Sequence, residues 1–156
     1  MTTSAGLTAK HPNGSGSIVT MASAKWGALL LDVATLTRQG GGRRAISDAM
    51  LAKPAFGLFA VADGVSNLAG AAETSRGCLA YLSLGLEDTQ NTTNETVSTT
   101  IKCISGKLFA EGQAQRSNVK GGYGAKGAGL GACTLAGMLL KPDSALDFNV
   151  FHVGDA

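Results

Sequence analysis

Aromatic and charged side chains are scarce in this 156-residue chain. Aromatic residues make up 5% of it and charged residues 15%, against roughly 25% charged residues in an average globular protein. The 13 Lys and Arg residues and the 11 Asp and Glu residues leave a net charge of +2, and the basic residues are dispersed along the chain. Proteins that bind nucleic acid along its phosphates need a basic patch. The sequence therefore argues against a nucleic-acid partner.

Long apolar runs are also lacking. The longest, at 26–31 and 56–62, are far shorter than the roughly 20 residues that span a bilayer, and residues 1–24 contain no apolar segment typical of a secretory signal. Cysteine occurs only three times, at Cys78, Cys103 and Cys133. This odd number, in apolar surroundings, favours reduced core thiols over a disulfide framework or a zinc site. We expect a cytoplasmic protein without membrane contact.

Glycine and other small residues supply much of the remaining sequence. The 22 glycines imply many turns and close backbone contacts, and a hydrophobic content of 44% is sufficient for a globular core. Residues 1–24 are rich in Ser, Thr and Gly and contain no acidic residue. This composition predicts a disordered tail, followed by a single folded domain over residues 25–156.

Hydrophobic patterning predicts strands on both sides of two helices. Strands are predicted at 26–36, 55–62, 130–140 and 145–153, the last two as a hairpin. The run at 55–62 is continuously apolar, which is typical of a strand buried on both faces. The order of elements predicts an α+β protein with an antiparallel sheet. Because the last strand is followed at once by the end of the chain, we expect the domain to be truncated.

The two helices are predicted from apolar residues at helical spacing. Apolar and small residues recur every three or four positions from Leu68 through Ser75 to Leu86, which is typical of an amphipathic helix. Thr92, followed three residues later by Glu95, matches a capping box and predicts the start of a second helix. The two helices are therefore consecutive, which argues against a parallel βαβ fold.

Three aspartates, Asp48, Asp63 and Asp155, follow apolar strands or a Gly-Arg turn. If their carboxylates converge, they repel each other unless a hard cation such as Mg²⁺ or Mn²⁺ neutralises them. Two such ions can activate a water and stabilise the charge of a phosphate under attack, and an arginine can hold that phosphate. Spacing alone does not establish that the aspartates meet, since Asp-Gly after a strand is more often a plain turn.

Several segments resemble motifs of the protein phosphatase 2C family, the metal-dependent protein serine/threonine phosphatases. Residues 59–67, FAVADGVSN, resemble the family's FAVADGxG motif. Residues 131–135 and 151–155, GACTL and FHVGD, resemble its GTTL and VGDSR segments. Residues 43–48, RRAISD, are a weaker match to an arginine followed by an acidic pair. The matches occur in the family's order, and their wording is closest to bacterial phosphatase domains that are fused to Ser/Thr kinases.

The resemblance implies a phosphatase 2C-like α-β-β-α sandwich with antiparallel sheets. Residues 25–156 would form its N-terminal part, so the sandwich would be incomplete in this chain. The implied activity is hydrolysis of phosphoserine and phosphothreonine on proteins, with two or three Mg²⁺ or Mn²⁺ ions in the complete domain. The implied partners are phosphorylated proteins and a cognate Ser/Thr kinase.

The resemblance also assigns roles to five residues of this chain. Asp63 would bridge two metal ions, and the Gly64 carbonyl would be a ligand of one of them. Asp48 would support the metal-bound waters, and Asp155 corresponds to a residue linked to an additional ion. Arg43 would bind the phosphate of the substrate.

The chain departs from the family pattern at a metal ligand. Ser47 stands where the family usually has a glutamate, and a hydroxyl is a weaker ligand than a carboxylate. The family's later metal aspartates correspond to positions beyond residue 156, so we expect this chain to be inactive by itself. A catalytically degenerate, phosphoprotein-binding domain is therefore an alternative. A small binding module unrelated to phosphatases is a third.

Two other residues with reactive side chains have simpler interpretations. His152 alternates with apolar neighbours in a predicted strand, which favours a packed histidine over a catalyst. Strand alternation places Cys133 on the same face as Leu135 and Leu139, and this predicts a core residue and not a nucleophile. Gly122, Gly124 and Gly127 have dinucleotide-motif spacing but precede a predicted strand, which favours a loop.

Overall fold

Within the residues that it describes, the structure, a computed structural model, contains two antiparallel sheets, two α-helices and one 3₁₀-helix. It describes residues 3–10, 16–26, 29–38, 46–65, 68, 70–87, 92–118, 131–141 and 147–155. The elements are β1 (Thr3–Lys10), β2 (Gly16–Trp26), β3 (Leu29–Arg38), β4 (Ala49–Lys53), a 3₁₀-helix (Pro54–Phe56), β5 (Leu58–Gly64), α1 (Ala71–Gly85), α2 (Asn94–Asn118), β6 (Cys133–Leu140) and β7 (Phe148–Val153). The predicted α+β class with antiparallel sheets is confirmed.

The first sheet has the order β1-β2-β3 and lies where a disordered tail is predicted over residues 1–24. The structure differs from that prediction, since residues 3–10 and 16–26 are strands. Backbone pairing to β3, for example Val19 with Leu36, holds β2 in the sheet. Small Ser, Thr, Ala and Gly side chains give little apolar alternation, so composition alone does not reveal strands that depend on their neighbours.

The second sheet has the order β4-β5-β6-β7 and carries both helices on one face. Leu58, Ala60 and Ala62 alternate along β5 and are buried. They pack with residues of α1, α2, β6 and β7, namely Cys78, Leu79, Leu82, Leu86, Val97, Ile104, Leu135, Leu139 and Phe151. The helices therefore close the core from one side.

The interpretation of 55–62 as a strand buried on both faces is wrong. Its first residues belong to the 3₁₀-helix, and Val61 on the face away from the helices is 47% exposed. An uninterrupted apolar run hides which alternate residues face the helices, because the intervening positions are apolar too. The same face of β7 exposes Phe148 and Val150.

The two predicted helices are present. The second begins one residue later than the capping box indicates, because Thr93, and not Thr92, receives the Thr96 backbone N–H on its hydroxyl at 3.2 Å. The predicted hairpin is also present as antiparallel β6 and β7. In the described part of the chain, neither helix is long and apolar enough to cross a membrane.

Two predictions about single side chains are wrong. Cys103, expected in the core, is exposed on α2, whereas Cys78 is buried and Cys133 partly buried. His152, expected to be packed, is exposed on β7, which is an edge strand of the second sheet. Both residues lie on the face of their helix or strand that points away from the core. The sequence pattern around each residue did not show which face would point outward.

Candidate carboxylate site

Three strand ends bring the predicted aspartates to one edge of the second sheet. Asp63 is the last residue but one of β5, and Asp48 directly precedes β4. Since these strands are antiparallel, the start of β4 lies beside the end of β5. The start of β6 pairs with the same end of β5, and Asp155 follows the end of β7, which in turn pairs with β6. Residues distant in sequence therefore meet at this edge.

The electrostatics of Asp63 support this proximity. The pKa of its carboxyl is raised, first by a hydrogen bond with Asp48, then by a partial loss of hydration, and then by the negative charges of Asp48 and Asp155, while the residue itself remains exposed. Carboxylates this close repel each other when both are ionised, which is why the neighbouring negative charge raises the pKa of Asp63. Asp63 therefore interacts directly with Asp48 and, over a longer range, with the charge of Asp155.

This arrangement differs from a complete metal centre. Among the residues that the structure describes, no group of three or more His, Cys, Asp or Glu side chains is arranged to hold a metal ion. Arg43 lies outside the described residues. Ser47, at the position of the expected glutamate, directs its hydroxyl to the Asp48 carboxylate at 3.4 Å.

The segment that carries Asp48 is held against the backbone at Gly64. A Cβ atom on Gly64 would lie 2.5 Å from the Ser47 carbonyl oxygen and 2.8 Å from the Ala71 carbonyl oxygen. The end of β5, the segment before β4 and the first turn of α1 therefore meet with no room for a side chain. This close approach explains why glycine follows Asp63, independently of any ligand role for its carbonyl.

Ser75 is a positioning residue that the sequence prediction missed. It is 0% exposed, its hydroxyl donates to the Ser47 carbonyl, and it lies 3.2 Å from the Ala72 carbonyl oxygen. Helix α1 thereby holds the residue next to Asp48. The signal was present, since Ser75 is a polar residue on the apolar stripe of a predicted helix. Its partner, 28 positions away, could not be read from the sequence.

We expect Ser75→Ala to destabilise the protein by about 1 kcal/mol, because it removes a buried hydrogen bond to the backbone. For a chain of this size the melting temperature should fall by about 2–4 °C for each kcal/mol. Ser98→Ala is the matched control, since Ser98 is exposed on α2. Equal melting temperatures for the two variants would argue against the positioning role.

Thr134 contributes a buried hydroxyl beside the carboxylates. It is the cross-strand partner of Asp63, so both side chains lie on the same face of the sheet. Its hydroxyl oxygen is inaccessible to solvent and has no hydrogen-bond partner among the residues that the structure describes. Buried hydroxyls are usually satisfied. Carboxylate and hydroxyl oxygens are the donor set that suits Mg²⁺ or Mn²⁺ and its waters, so the residues present fit such an ion as part of its ligand shell.

The raised pKa of Asp63 predicts a pH dependence of stability. Because the folded state holds the proton more tightly than the unfolded state, this contribution is complete below the unfolded pKa and is lost as the pH rises through the folded pKa. We expect Asp48→Asn to remove the repulsion and to raise stability at neutral pH by no more than about 1 kcal/mol, given solvent screening. Thermal unfolding of both proteins across acidic pH measures this. Parallel curves for the two proteins would contradict it.

Comparisons with known proteins give no relative for this chain. No protein-family model, no curated protein and no solved structure matches it. The arrangement of the aspartates and the resemblance of the short motifs are therefore the basis for a functional assignment.

Proposed function

We propose that this protein is a metal-dependent protein serine/threonine phosphatase of the protein phosphatase 2C type, with the α-β-β-α sandwich of that family. One observation carries the proposal. Asp48, Asp63 and Asp155 each come from a different segment that resembles a family motif, and Asp63 interacts with both of the other carboxylates at one edge of the second sheet.

In this proposal each residue has a separate task. Asp63 would hold the metal ions, with the Gly64 carbonyl as a further ligand, Asp48 would support the metal-bound waters, and Asp155 would serve an additional ion. Mg²⁺ or Mn²⁺, when bound, activates a water and offsets the negative charge of the phosphate. Arg43 holds the phosphate of the substrate. Thr134 can donate its unpaired hydroxyl hydrogen to an oxygen within the site. Ser75 keeps the segment of Asp48 in place.

The proposed substrates are phosphorylated proteins, with a cognate Ser/Thr kinase as the opposing enzyme and the cytoplasm as location. The test uses the full-length protein and a phosphothreonine peptide. We expect phosphate release in Mn²⁺ or Mg²⁺ that stops on chelation with EDTA. Metal binding without any phosphate release from phosphoserine or phosphothreonine substrates would reject the catalytic assignment.

Ser47 favours a second candidate, a degenerate phosphatase-like domain that binds phosphoproteins without hydrolysis. Its hydroxyl is directed at Asp48 and replaces the carboxylate that the resemblance requires. Calorimetric titration of Mn²⁺ separates the two candidates. A phosphatase should bind two ions per protein, whereas the degenerate domain should bind a phosphopeptide without needing the metal.

A further inference from the structure

Cys78 and Cys133 face each other between α1 and β6. Cys78 belongs to the buried core cluster, and Cys133, the first residue of β6, packs against that cluster. Both are free thiols, and they are joined by a hydrogen bond between their side chains. Two thiols in contact, brought together from a helix and a strand, form a pair that an oxidant can convert to a disulfide.

A cleft gives this pair access to small molecules. Its volume is about 260 Å³, and both cysteines line it together with Ile104 and Leu108 of α2 and Gly131. Cys133 is partly exposed, whereas Cys78 is 5% exposed and lies in the core. A reagent that enters the cleft therefore reaches Cys133 before Cys78.

We propose that Cys133 and Cys78 are a peroxide-sensitive thiol pair, in which Cys133 is oxidised first and Cys78 then closes a disulfide between β6 and α1. A hydroperoxide is the oxidant. The Cys133 sulfur attacks one peroxide oxygen, the O–O bond breaks, and Cys133 becomes a sulfenic acid while the second oxygen leaves as water. The Cys78 sulfur then attacks the Cys133 sulfur, the S–O bond breaks, and a second water leaves with the thiol proton.

Overall, two thiols and hydrogen peroxide give one disulfide and two waters. The bond would tie the middle of α1 to the start of β6, close to Gly64, the cross-strand partner of Cys133. The proposal does not depend on the phosphatase assignment, because it concerns only the chemistry of the two thiols.

The test treats the whole chain with stoichiometric hydrogen peroxide and follows intact mass and cysteine-containing peptides. Cys103→Ser serves as background, since Cys103 is exposed on α2 and could otherwise link two molecules. We expect a loss of two hydrogens and a peptide pair joined through Cys78 and Cys133. In Cys78→Ala, Cys133 should accumulate as a sulfenic acid that a 1,3-diketone probe captures.

Peroxide treatment of the parent protein tests the proposal even if a variant does not fold. Recovery of both thiols in reduced form after peroxide treatment and unfolding would overturn it. Cys133→Ala should leave Cys78 reduced, and direct oxidation of Cys78 in that variant would refute the assigned order.

Discussion

Gly64→Ala is expected to destabilise the protein by about 1–3 kcal/mol, because a side chain at this position overlaps backbone on two sides. The added Cβ would lie 2.5 Å from the Ser47 carbonyl oxygen and 2.8 Å from the Ala71 carbonyl oxygen. Neither is the end of a flexible side chain, so relief requires a shift of the segment before β4 or of the first turn of α1. Thermal or urea unfolding of the variant measures the cost.

Gly106→Ala is the matched control for this substitution. Gly106 lies inside α2, and a Cβ on it would meet nothing within 4 Å. Alanine is favoured over glycine in a helix interior by up to about 1 kcal/mol, so this variant should be more stable than the parent. The two substitutions are chemically identical and should have opposite signs. A stabilising Gly64→Ala would show that the three segments are not in the described contact.

The same contact links the fold to the candidate site. Ser47 is held from one side by Gly64 and from the other by Ser75. Asp48 follows Ser47 directly, and its carboxyl hydrogen-bonds with Asp63. A shift of this segment therefore separates the two carboxyls. Gly64→Ala should consequently restore the pKa of Asp63 toward its ordinary value as well as lower stability.

Elements with a strong apolar period could be predicted from the sequence, and elements held by their neighbours could not. The two helices and the β6–β7 pair were found because their apolar residues recur at regular intervals. Strand β4, only five residues long, and strands β1 and β2 were missed. Short strands with small side chains are determined by pairing with an adjacent strand, which is not a local property of the sequence.

In the candidate site, too, some residues could be predicted from the sequence and others could not. Asp63 and Asp155 could be identified because each follows an apolar strand, and this is visible in the sequence. Their proximity depends on the antiparallel order of four strands, which the periodicity does not encode. Ser75 and Thr134 act through contacts across helix and strand, so no spacing rule reveals them.

Asp63→Asn is expected to reduce phosphate release by at least about 100-fold if the proposed function is correct, since even residues behind the metal ligands typically contribute 10–100-fold. Asp147→Asn is the matched control. Asp147 precedes β7, whereas Asp155 follows it, so Asp147 lies at the opposite end of the strand from the carboxylate site. Activity measured with the same phosphothreonine peptide should be unchanged in this control.

For Asp63→Asn, thermal unfolding distinguishes a loss of activity caused by unfolding from one caused by the loss of a metal ligand. The raised pKa of Asp63 means that its ionised form is unfavourable in the folded protein. Asp63→Asn should therefore melt no lower than the parent protein in the absence of divalent metal, while Mn²⁺ should stabilise the parent more than the variant. Functional sites often contain a residue that lowers stability but is needed for activity, and Asp63 would be such a residue. Full activity in Asp63→Asn would reject the phosphatase proposal and leave the thiol-pair proposal intact.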